Sequence, residues 1–118
     1  MAEFLNPFSG LTPDKKMSLS ELIRAIRLNI AAEEEAIHLY TAHADATDHP
    51  LAKKVLLDIA DEERVHAGEF LRLLEIITQD EDQFLAEGKQ EVEEMREELY
   101  SEGKTGGAEP PTVGPLKE

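Results

Sequence analysis

No cysteine occurs in this chain, which excludes disulfides, zinc–thiolate sites and iron–sulfur clusters. Any bound metal must use oxygen and imidazole ligands, and carboxylates with one histidine suit iron or manganese. Positive charge is scarce: 12 lysines and arginines stand against 26 acids, a formal net charge of -14. Nucleic acid and anionic membrane surfaces would repel such a chain, whereas cations are drawn to it. No apolar run approaches the roughly 20 residues of a membrane span. No basic stretch followed by an apolar one opens the sequence, so it predicts neither anchor nor secretion signal, and a cytoplasmic protein. With 118 residues the chain is a single small domain, and an apolar fraction of 41% can form a core. Two or three helices alone give that core little depth, so oligomerisation is expected.

What is present is helical periodicity. Residues 1–17 hold Pro7, Gly10 and Pro13 among a few apolar residues and read as an irregular arm. A first helix begins near Ser18, where Ser18-Leu19-Ser20-Glu21 has capping-box spacing, and runs to about Thr47. Asp48-His49-Pro50 is the turn. Pro50 suits the first helical position of a second helix that continues to about Thr78, and so short a connection makes the two helices antiparallel neighbours. Thr78-Gln79-Asp80-Glu81 offers another capping box before a shorter third helix, about residues 80–100, with a thin apolar stripe of Phe84, Val92, Met95 and Leu99. From Asp80 to Glu102 ten acids face only Lys89 and Arg96; this reads as a solvated helix face or as an acidic guide for Fe(II). The expected unit is therefore an all-α domain over residues 18–100. Residues 101–111 have linker composition, and residues 112–118 place Val113 and Leu116 three apart at the end of a tether, as a docking peptide would.

In the first helix Leu19, Ile23, Ile26, Ile30, Glu33, Ile37 and Tyr40 follow one another at steps of four and three, a stripe on one face with Glu33 its only charge. The second repeats the pattern through Ala52, Leu56, Ile59, Glu63, His66, Phe70, Leu73 and Ile77, interrupted by Glu63 and His66 one turn apart. These polar breaks are thus expected to face one core. A carboxylate in an apolar seam costs several kcal/mol unless its charge is held. A metal ion would hold it: di-iron bundles take one Glu from each of two helices and a Glu-x-x-His pair from each of the other two. This chain offers one of each, which is half a site. The alternative for Glu33 is a buried ion pair with Arg24, Arg27 or a neighbour's Arg64; the stripe around Glu63 contains no such cation. Tyr40, two turns after Glu33, reads equally as a core tyrosine or as a hydroxyl bonded to a ligand carboxylate. His38 and His43 fall off the stripe as surface or interface residues, His49 has no assigned role, and Met17 and Met95 fit packing.

Ala32-Glu33-Glu34-Glu35-Ala36-Ile37-His38-Leu39-Tyr40 and Asp61-Glu62-Glu63-Arg64-Val65-His66 resemble the encapsulated ferritins, short relatives of the ferritin-like superfamily packaged inside encapsulin shells; the similarity covers roughly residues 19–78. The resemblance implies an antiparallel two-helix hairpin, half of a ferritin-like four-helix bundle, completed by dimerisation around a di-iron ferroxidase centre with two iron ions per dimer interface. Glu33, Glu63 and His66 match the family's ligands, and Tyr40 matches a tyrosine near the metals. It further implies a homodecameric ring of five dimers with an acidic uptake site beside the centre. Glu35 matches one uptake residue, whereas Ala32 stands where some members carry a second carboxylate. Encapsulin cargo proteins commonly end in a peptide resembling Leu-Thr-Val-Gly-Ser-Leu-Lys. Thr112, Val113, Gly114, Leu116 and Lys117 match it, with proline replacing leucine at Pro111 and serine at Pro115.

The implied activity is oxidation of Fe(II) to Fe(III) by dioxygen, with the iron delivered for storage inside an encapsulin nanocompartment. Two alternatives keep their place. One is a rubrerythrin-like peroxidase using hydrogen peroxide, although rubrerythrins usually carry a cysteine-ligated iron domain for electron delivery. The other is a non-enzymatic helical adaptor of the shell, with the polar residues in buried ion pairs.

Overall fold

In the computed structural model, residues 14–101 are described; the tail peptide, most of the linker and residues 1–13 of the arm lie outside them. Three helices account for nearly all of this span: α1 (Leu19–Ala46), α2 (Pro50–Thr78) and α3 (Glu81–Ser101). Among the described residues there is no strand.

The helix ends follow local chemistry. The Ser18 hydroxyl accepts the Glu21 N–H at 3.1 Å and the Glu21 carboxylate accepts the Ser18 N–H at 2.9 Å, so the capping box is closed in both directions. Those bonds from Ser18 hold the Glu21 carboxyl below its ordinary range. Pro50 opens α2 as expected, and His49, which the sequence left without a role, caps it: its Nδ1 accepts the Ala52 N–H at 3.1 Å. At the other end of α2, Gln79 takes a left-handed backbone with φ of 68° and donates its N–H to the Glu75 carbonyl.

Only half of the second capping box forms. The Thr78 hydroxyl accepts the Glu81 N–H at 3.1 Å, but the Glu81 carboxylate does not return to Thr78. Thr78 still lies inside α2, where its N–H belongs to the helix ladder. The carboxylate is taken instead by Arg27 of α1 in a two-pronged bond of 2.8 and 2.9 Å.

α1 and α2 pack as the expected antiparallel hairpin. Among the described residues the buried side chains are Ile26 and Ala44 on α1 and Leu57, Ala60 and Leu74 on α2. Ala44 and Ala60 have no exposed surface at all, and such small residues let two helices approach closely. Ile26 belongs to the stripe read from α1, but Leu57, Ala60 and Leu74 each lie one residue beyond the α2 stripe positions Leu56, Ile59 and Leu73. One residue is about 100° of helix rotation. The hairpin's own seam on α2 is therefore turned away from the stripe that carries Glu63 and His66, and that stripe lies on a half-open flank. Two helices cover only one arc of each other, and the apolar surface of α2 is wider than that arc.

α3 buries none of its residues. Phe84, Val92 and Met95 are 65%, 60% and 62% exposed, so its apolar stripe has little cover among the described residues. Backbone packing joins α3 to α2 alone; the Arg27–Glu81 bond is its link to α1.

Candidate metal centre

Glu33, Glu63 and His66 are brought together. Each offers one ligand atom, and these atoms all lie within 4.8 Å of one another. The helical turn between Glu63 and His66 puts both on one face of α2, and the antiparallel register sets Glu33 of α1 beside them. His66 Nδ1 is 3.4 Å from Glu63 Oε2 and 3.8 Å from Glu33 Oε2. The carboxylate side chains are 18% and 19% exposed, whereas that of His66 is 47% exposed. In the single chain the carboxylates sit at the edge of the hairpin and the imidazole is the most exposed of the three, because the hairpin's seam runs one residue further round α2.

Three observations fit a cation at this place. Glu33 Oε2 is buried and accepts no hydrogen bond, and an unsatisfied buried acceptor costs about 1–3 kcal/mol unless something else holds it. Donors bonded to one ion at about 2.1 Å stand at most about 4.2 Å apart, so the present spacing needs only a small side-chain adjustment. The donor set, two carboxylates and an imidazole, suits iron or manganese. Among the described residues no arginine makes the ion pair with Glu33 or Glu63 that would replace a metal. Arg24 bonds the Ser20 hydroxyl, Arg27 bonds Glu81, and Arg64 pairs with Asp61 at 3.4 Å.

Beside this group runs an open groove of about 430 Å³ lined by Glu33, His66, Glu69, Phe70 and Leu73. Glu69 was not singled out from sequence, although it stands one turn after His66, a spacing that could have flagged it. Glu35 is half-buried and outside the three-residue group. Tyr40, half-buried, lies about 10 Å along the α1 axis from Glu33. His38 and His43 are exposed, as expected of surface or interface residues.

A helical hairpin with a carboxylate–histidine group on its flank has the elements of a ferritin-like protein. The profile described as Rubrerythrin matches residues 25–104, and the chain belongs to this ferritin-like family. It is 44% identical to the encapsulin nanocompartment cargo protein EncC of Myxococcus xanthus, over 95% of this chain and 96% of that protein. It is 39% identical, over 77% of its length, to the ferritin-like–encapsulin shell fusion protein of Pyrococcus furiosus, of which the match spans 26%. The crystal structure of the encapsulated ferritin domain from the same organism superposes with a TM-score of 0.60 at 33% identity, covering 92% of this chain and 100% of that domain. Among the described residues no helix is long and apolar enough to cross a membrane.

Proposed function

We propose that this chain is a cargo ferroxidase of an encapsulin nanocompartment, oxidising Fe(II) at a centre assembled from two copies. The observation that carries the reading is the Glu33, Glu63 and His66 group with its buried, unsatisfied Glu33 oxygen. Fe(II) is the substrate, and it supplies one electron per ion to dioxygen. Glu33 and Glu63 neutralise its charge, and hard carboxylate oxygens favour the ferric product over the ferrous substrate. His66 ligates as the neutral imidazole and leaves the site its open edge. A second copy laid antiparallel across that edge would bring its own three ligands and complete the donor set of a di-iron bundle. Phe70 and Leu73 would then be covered and exclude water from the groove. Tyr40 and Glu35 are proposed to serve from the assembled dimer, the first as a hydrogen-bond donor near the ligands and the second in metal uptake.

The relatives support the destination of the product. One is a cargo protein of an encapsulin nanocompartment and another is fused to a shell. We assign docking to Thr112, Val113, Gly114 and Leu116, which lie outside the described residues. In this reading the shell would receive the oxidised iron.

Titration of the purified protein with Fe(II) in air, following Fe(III) absorbance, tests the activity. Wild type should outpace buffer while Glu33→Ala and His66→Ala should not; a wild type no faster than buffer overturns the reading. An active monomer would contradict the shared site. Deleting residues 112–118 should abolish co-purification with a co-expressed shell and leave oxidation intact. A peroxidase reading has one observation in its favour, the match to the Rubrerythrin profile. Oxidation that is fast with hydrogen peroxide and slow with dioxygen would establish it in place of the first.

A further inference from the structure

Two features meet where α3 leaves the hairpin, and neither belongs to the metal centre. Gln79 is the one non-glycine residue with positive φ among the described residues, so the elbow between α2 and α3 is built on a conformation that side chains disfavour. Directly after it, Arg27 Nη1 and Nη2 donate to the two Glu81 carboxylate oxygens at 2.9 and 2.8 Å, across 54 residues of chain. The Glu81 side chain is only 16% exposed. Asp80 adds its charge to the Arg27 environment, while Arg24 on α1 is turned to Ser20 and Arg72 on α2 to Glu75. Among the described residues none of α3 is buried, so the apolar packing they provide does little to set its angle.

We propose that the Arg27–Glu81 fork is a strap that fixes the direction of α3 relative to the hairpin, holding closed an elbow that Gln79 keeps under strain. A planar guanidinium bonded at both prongs constrains orientation as well as distance, which a single contact does not. The leverage is large. α3 is about 30 Å long, so a swing of about 20° displaces its far end by about 10 Å. The linker and the C-terminal segment continue from Ser101, so the strap also sets where they leave the body.

The absence of cysteine makes the test clean. Spin labels at Ala42→Cys on α1 and Glu91→Cys on α3, both exposed positions, report the interhelix distance when labelled chains are diluted into unlabelled protein. Wild type should give one narrow distance distribution. Glu81→Gln should widen it by about 5 Å, the arc of a swing of about 20° at about 15 Å from the elbow. The exchanged pair Arg27→Glu with Glu81→Arg should narrow it again. A Glu81→Gln distribution as narrow as wild type overturns the strap, as does failure of the exchanged pair to narrow it while α3 remains helical. Loss of α3 helicity by circular dichroism in Glu81→Gln alone would also overturn it, since the fork would then hold the helix together and not its direction.

Discussion

α2 has two apolar faces that the rest of the chain treats differently. On one, Leu57, Ala60 and Leu74 are closed against α1 and the surface is dry. On the other, about 100° round the helix, Glu63, His66, Phe70 and Leu73 are only partly covered, with Leu73 still 43% exposed. The first face stabilises one chain. The second contains charge, and the Glu33 Oε2 across from it has no hydrogen-bond partner among the described residues. The buried residues of the first face are all apolar, so its contribution to stability is separated from the carboxylate–histidine group.

That separation is open to attack by mutation. Leu74→Ala, in the closed seam, should lower stability in urea unfolding by about 2–5 kcal/mol, with Fe(II) oxidation per folded molecule preserved. Glu33→Ala on the other face should do the reverse. Oxidation should fall to the buffer rate, while unfolding in the absence of metal is unchanged or stabilised by about 1 kcal/mol, because a buried acceptor without a partner has been removed. If instead Glu33→Ala unfolds the hairpin, the two faces are not independent. Leu73→Glu should leave the monomer's thermal unfolding within about 0.5 kcal/mol of wild type, as at an exposed position. It should shift the size distribution toward monomer by placing a like charge in the covered flank.

A smaller effect belongs to pH. Arg27 holds the Glu81 carboxyl below its ordinary value of 4.5, chiefly through the hydrogen bond. The folded state therefore gains from this group above the unfolded carboxyl's pKa, and the gain is lost as pH falls through the lower folded value. The contribution, screened because Arg27 is half exposed, is about 0.5 kcal/mol. The stability difference between wild type and Arg27→Ala should therefore shrink on acidification below about pH 4.5; a difference that stays constant or grows would dissociate the fork from stability.

Periodicity and cap chemistry were enough to place the helices. Ser18 and Glu21, and Pro50 at the head of α2, are local signals that act over one turn, and the structure realises both. The grouping of Glu33, Glu63 and His66 was also legible, because a short turn forces antiparallel register and helical spacing then decides which side chains share a level. His49 escaped notice because an imidazole cap is an uncommon choice beside serine or aspartate. Glu81 follows the local pattern only in part. Its backbone does what the capping box asks, but its side chain answers a partner 54 residues away that no local pattern announces.

By itself the sequence determined the three helices, their order and the shared level of Glu33, Glu63 and His66, since each follows from spacing along a single chain. Which arc of α2 would close against α1 was decided only in three dimensions. An apolar surface wider than one helix can cover leaves several rotations open, and burial of Leu57, Ala60 and Leu74 against α1 selects the one that leaves Glu63 and His66 on the open flank.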